Sequence, residues 1–253
     1  MREEGEVGSY PKSRRKRAPA TFVLVHGAWH GGWCWARVAR LLREAGHVVY
    51  TPSLTGLGDR AHLAHPETDL ALHVQDILGL LEMEELSRVI LVGASYGGMV
   101  ITGVAGRAAA RLAHLVYLDG FVPASGQALI DLLPAEVATE LRAAARDRGD
   151  GWRIPSFPPT RFGVTNAKDI AWLSRHLVPQ PIRTFEQPVH VTDGASLKRT
   201  YIHCSKPAVG AFVQFATRCK QDRAWRVHEV KTGHDAMVTA PREVANILLG
   251  CVP

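Results

Sequence analysis

Six short runs of β-branched and aliphatic residues alternate with segments of helical spacing, and this alternation limits the fold more than any other feature of the chain. The runs are TFVLVHG (21–27), VVYTPSL (48–54), RVILVGAS (88–95), LAHLVYLD (112–119), KRTYIHC (198–204) and WRVHEVKT (225–232). Each is short and almost wholly apolar at its centre, which reads as a strand buried within a sheet. Between them WARVARLLREAG (35–46), TDLALHVQDILGLLEM (68–83), GGMVITGVAGRAAARLA (97–113) and VGAFVQFATRCK (209–220) place apolar residues three or four positions apart, the period of a helix with one buried face. Strand, helix, strand in succession predicts an α/β protein. Its sheet is doubly wound and mainly parallel, with ligands bound beyond the carboxyl ends of the strands.

One interval breaks this rhythm. From Phe121 to about Leu197 no strand is predicted, but ALIDLLPAEVATELRAAARDR and NAKDIAWLSRHLV have helical character and IPSFPPT is rich in proline. An insertion at the carboxyl edge of a sheet reads as a helical cap over a site, with Trp152, Phe157, Phe162, Trp172 and Phe185 as candidate lining. Residues 21–253 are then a single domain, and residues 1–20 a disordered basic leader. Arg2, Lys12, Arg14, Arg15, Lys16 and Arg17 lie in that leader, so it supplies much of the formal charge of +6.

The leader has no apolar core like that of a secretory signal, and its SRRKR run is too short to establish nucleic-acid binding. No apolar stretch approaches the roughly 18 residues that would span a bilayer. Cys34, Cys204, Cys219 and Cys251 lack the spacing of a zinc site or a disulfide framework and read as buried thiols. The expectation is a soluble cytoplasmic protein acting on a small molecule, without metal, cofactor, nucleic acid or membrane; a homodimer stays open.

The chemistry concentrates at three loops. Gly93-Ala94-Ser95-Tyr96-Gly97 is a G-x-S-x-G, a pattern that arises by chance in about one chain in ten of this composition. Its setting makes it informative, because VILV precedes it and a Gly-Gly-initiated helix follows. A tight strand-to-helix turn there makes Ser95 a nucleophile projecting above the sheet. A serine hydroxyl needs a base and donors for the developing oxyanion. The loop His26-Gly27-Ala28-Trp29-His30-Gly31-Gly32 follows the first strand and can turn amides inward, so the donors are assigned to the backbone N–H groups of Ala28 and Tyr96. His26 and His30 read as shaping that loop.

Of the twelve histidines, His234 in TGHDAM stands just past the last predicted strand, on the same sheet edge as Ser95, and is the candidate base. His114, His203 and His228 fall within strands and read as packed or paired core residues. Together VLVHGAWHGGW, VILVGASYGGM and TGHDAMV resemble the α/β-hydrolase superfamily from about Thr21 to the C-terminus. The likeness is to the branch holding plant hydroxynitrile lyases, methyl-salicylate-type esterases and bacterial pyrethroid-hydrolase-like esterases. The resemblance implies Ser95 as nucleophile, His234 as base, Ala28 and Tyr96 as oxyanion donors, and no cofactor. Lyases of this type carry threonine after the first-loop histidine and lysine after the catalytic one; Gly27 and Asp235 stand here, which favours an esterase.

The family's usual acid follows the strand that here is KRTYIHC, yet Ser205-Lys206-Pro207-Ala208 contains no carboxylate. Asp119, at the end of LAHLVYLD, is the candidate, since neighbouring parallel strands lie only about 4.8 Å apart. The order Ser95, Asp119, His234 also matches the superfamily. Asp119 could instead cap a turn with Gly120; Asp193 and Asp235 are the rivals. The reading is a serine carboxylesterase for small to medium apolar or aromatic esters. Its alternatives are a cofactor-free lyase, lactonase or cyclase on the same site, and a hydrolase-derived binding protein for a small ligand.

Overall fold

The computed structural model describes residues 18–191, 197–207 and 209–252. The leader up to residue 17 and the rival acid Asp193 lie outside the described residues. Eight strands are described: β1 (Thr21–Val25), β2 (Val48–Tyr50), β3 (Val89–Ala94), β4 (Leu112–Leu118), β5 (Arg153–Ile154), β6 (Gln180–Pro181), β7 (Lys198–Cys204) and β8 (Trp225–Val230). Six form one parallel sheet in the order β2-β1-β3-β4-β7-β8. The helices are α1 (Ala36–Glu44), α2 (Leu70–Met83), α3 (Gly97–Ala108), α4 (Ala135–Arg148), α5 (Ala167–His176), α6 (Arg183–Glu186), α7 (Gly210–Gln221), α8 (Ala236–Thr239) and α9 (Pro241–Leu249).

The period-2 alternation of the strands divides the core into two layers. Val23, Val25, Leu91, Tyr117 and Tyr201 face a cluster built with α2, α3 and α7, while Phe22, Leu24, Ile90, Val92, Val116 and Ile202 face one built with α1 and α9. β3 is buried along its whole length, as befits a central parallel strand covered on both faces. Two expected buried strands differ. β2 stops at Tyr50 with Val48 47% exposed, and β8 exposes Arg226, His228 and Glu229. Both are edge strands, where charge and brevity discourage pairing with another chain. His228 is therefore a surface residue and not part of the core.

The chain between β4 and β7 carries α4, α5 and α6, and also an antiparallel pair absent from the sequence expectation: Arg153 opposite Pro181 and Ile154 opposite Gln180. Two residues per strand leave no period to detect. Among the described residues, no helix is long and apolar enough to cross a membrane, and the four cysteines are buried and unpaired.

Candidate active site

The turn after β3 has little freedom. Ser95 sits at φ +52°, in the left-handed region that non-glycine residues seldom occupy. Its N–H donates to Leu118 O (3.1 Å), and its own carbonyl accepts from Gly98 N (3.0 Å) and Phe121 N (3.1 Å). The strand and helix pass so closely that a Cβ on Gly93 would lie 2.4 Å from Gly97 O. The glycines of G-x-S-x-G are thus required by backbone contact, and the strain at Ser95 is offset by three hydrogen bonds.

At the end of β4, Asp119 is 0% exposed and accepts three hydrogen bonds. Its Oδ2 takes one from His234 Nδ1 at 2.8 Å; its Oδ1 takes one from His203 Nδ1 and one from Cys204 N, both at 3.1 Å. Burial alone would push this carboxyl up, but the donors from His203, His234 and Cys204, with the charge of His234, bring it below the usual carboxylate range. Asp119 is therefore an ionised acceptor, and His234 presents Nδ1–H to it. That leaves Nε2 of His234 as the atom able to take a proton.

His234 is itself buried, its ring stacked on Phe212 of α7 with centroids 4.5 Å apart and planes 17° apart. The rival Asp235 points elsewhere: its Oδ2 lies 3.5 Å from His30 Nε2. Burial disfavours charge on His30, yet Asp235 and the Ala28 carbonyl raise its pKa. His30 Nδ1 donates to Ala28 O at 2.7 Å.

The loop after β1 is braced throughout. His26 Nδ1 donates to Gly27 O (2.8 Å) while His26 Nε2 accepts from Leu54 N (3.0 Å). Complete burial lowers His26 to about 3, so it is a neutral strut. Trp29, at φ +64°, donates from its backbone to Gln180 Oε1 (3.0 Å) and from its indole to Ile154 O (3.0 Å). A Cβ on Gly27 would sit 3.0 Å from Ser95 Cβ and 3.6 Å from its Oγ, so this glycine is the close neighbour of the serine. Tyr96 is anchored by its hydroxyl donating to His73 Nδ1 (2.8 Å), whose Nε2–H goes to Thr55 O (2.8 Å).

Ser95, His234, Ala28 and Tyr96 line one cavity of about 230 Å³. Its other walls are apolar: Trp29 and Phe121 from the sheet loops, Leu133, Val137 and Leu141 around α4, Phe157, Phe162, Phe185 and Phe212. Arg161 at the wall lies over the Phe157 ring at 4.0 Å. Three aromatic residues of the predicted lining are therefore in place, but Trp152 and Trp172 are not. Trp152 stacks under the Arg153 guanidinium, and Trp172 packs edge-on against Trp33 at 5.1 Å. The sequence reading missed Phe212, Gln180 and the His203 contact. Each depends on a long-range approach that no local pattern announces, although His203 stands beside the segment lacking its expected acid.

A serine at a strained turn, an imidazole held by a buried carboxylate and an apolar cavity thus meet above the carboxyl edge of the parallel sheet. The sequence profile of the Alpha/beta hydrolase family matches residues 22–247, and the chain belongs to that family. It is 45% identical over 239 residues to the carbendazim hydrolyzing esterase of Nocardioides sp. (strain SG-4G), spanning 90% of this chain and 98% of that protein. It is 27% identical over 264 residues to the putative chloroplastic methylesterase 13 of Arabidopsis thaliana, spanning 96% of this chain and 58% of that protein. In structure it is similar to an extracellular alpha/beta-hydrolase from a Paenibacillus species, with TM-score 0.83 and 24% identity over 92% of this chain and 99% of that one.

Proposed function

We propose that this protein is a serine carboxylesterase for small to medium apolar or aromatic esters. The observation that carries the reading is the 2.8 Å bond from His234 Nδ1 to the buried Asp119, made at the wall of the cavity that Ser95 also lines. Ser95 Oγ attacks the ester carbonyl as His234 Nε2 takes its proton, and Asp119 stabilises the imidazolium. The Ala28 and Tyr96 amides receive the oxyanion. Collapse breaks the bond to the alcohol, to which His234 returns the proton. Water then attacks the acyl-enzyme, again losing a proton to His234, and releases the acid and free Ser95.

The walls suit an apolar acyl or alcohol group. Burying about 100 Å² of such a group is worth ~2.5 kcal/mol at ~25 cal/mol per Å². The relative named for carbendazim hydrolysis makes carbendazim a substrate to test beside simple esters. The test is hydrolysis of p-nitrophenyl butyrate and of carbendazim by the wild type, with Ser95→Ala prepared identically as the blank. Release of butyrate and p-nitrophenol from the ester, or of methanol, carbon dioxide and the free amine from the carbamate, by the wild type alone supports the reading. Equal rates for the two proteins overturn it.

A further inference from the structure

We propose that His203 is a positioning residue that fixes the rotation of the Asp119 carboxylate, so that the strand lacking the expected acid contributes a donor to the acid of its neighbour. Asp119 stands at φ +41°, outside ordinary strand geometry, and its χ2 is a soft sp³–sp² torsion with no sharp staggered wells. The direction of Oδ2 therefore depends on what grips Oδ1. Two groups do so, both from the end of β7: the Cys204 N–H and the His203 ring, each at 3.1 Å.

The register explains why β7 can supply both. Leu118 pairs with Ile202, and Asp119 N–H donates to Ile202 O at 2.7 Å, so the next two residues of β7 arrive beside the carboxylate. His203 is nearly buried, with a side chain 9% exposed, and it does not line the substrate cavity. Because Asp119 is an acceptor, His203 donates from Nδ1. A lone backbone donor leaves the carboxylate free to swing about that single bond. A second donor in a different direction removes that freedom and aims an Oδ2 lone pair at His234.

The kinetic part of this inference rests on the esterase reading; the geometric part does not. An asparagine side chain places its amide nitrogen where histidine has Nδ1, whereas glutamine places it where histidine has Nε2. On p-nitrophenyl butyrate, His203→Asn is therefore expected to retain kcat within about threefold of wild type. His203→Gln and His203→Leu are expected to lose about 10- to 100-fold in kcat, the worth of one charge-assisted hydrogen bond, with KM unchanged. The asparagine–glutamine pair decides the matter even where the leucine variant does not fold.

The second readout is the proton NMR resonance of the His234 Nδ1–H, assigned by its loss in His234→Gln and observed without substrate. It is expected to stay in place in His203→Asn and to shift or exchange-broaden in His203→Gln. Equal kcat for the asparagine and glutamine variants, or an unmoved resonance in the glutamine variant, overturns the proposal. If the wild type hydrolyses neither test ester while the resonance still separates the two variants, the esterase reading fails and the positioning role stands.

Discussion

Replacing Asp119 with asparagine exchanges one carboxylate oxygen for an amide nitrogen, and the geometry dictates where the damage falls. The carboxylate accepts from three donors and gives none: His234 Nδ1, His203 Nδ1 and Cys204 N. An amide has one acceptor atom. Two of the three donors converge on Oδ1, so the amide oxygen settles there and its NH2 group faces His234. The imidazole must then accept at Nδ1, which moves its proton to Nε2, the atom that receives the proton of Ser95 in the proposed mechanism. Loss of the charge that stabilises the imidazolium adds to this. The equivalent change in a serine-protease triad costs about 10⁴ in kcat, and a fall of about 10³ to 10⁴, or ~4 to 5.5 kcal/mol in activation free energy, is expected here. The assay is initial-rate hydrolysis of p-nitrophenyl butyrate, with circular dichroism to show that the variant folds. A folded Asp119→Asn enzyme within tenfold of wild type would refute the assignment of the acid.

Two further outcomes follow from the same residues. Gly27→Thr sets a Cβ 3.0 Å from Ser95 Cβ, and crowding of that order costs about 1 to 3 kcal/mol, so if it falls on the placement of the serine, esterase kcat/KM should drop about 5- to 150-fold in a folded protein; an unchanged value contradicts the close approach of loop and elbow. On acidification, His73, lowered to about 4 by its burial, and His26, lowered to about 3, stay neutral in the folded chain while the unfolded chain takes up protons near 6.5. Stability contributed by both is full well above pH 6.5 and is lost as the pH falls towards their folded values, about 1.4 kcal/mol each by pH 5.5; His30, raised in the fold, acts in the opposite sense. Urea unfolding should therefore give a lower free energy at pH 5.5 than at 7.5, with a smaller difference in His73→Gln; the reverse order contradicts the buried neutral histidines.

The alternation of strands and helices carried the sheet because parallel strands covered on both faces must be apolar throughout, and that signal is local. The nearness of Asp119 to His234 was legible for a related reason. A strand end adjacent to the expected one lies within a single interstrand spacing of it, so with no carboxylate after KRTYIHC the candidate contact for His234 lay one strand over. The edge character of β8 was less legible, since WRVHEV has enough β-branched and aromatic residues to pass for a central strand. Its charges acquire meaning only once its place in the order is known.

The walls of the cavity were the least legible part. Trp152 and Trp172 have the same composition-level claim to it as Phe157 and Phe162, and what separates them is where the chain between β4 and β7 folds back. Phe212 reaches His234 from a helix whose apolar face reads as ordinary core. His203 reads as a paired histidine, but its partner lies 84 positions earlier in the chain.

The proposed mechanism requires that Ser95 become acylated. The most direct measurement is intact mass and peptide mapping after incubation with a fluorophosphonate, for the wild type and for Ser95→Ala. One equivalent is expected on the Ser95 peptide of the wild type and none on the variant, with loss of esterase activity in step with labelling. Full ester turnover after complete labelling, or an adduct on another residue with Ser95 unmodified, would contradict it.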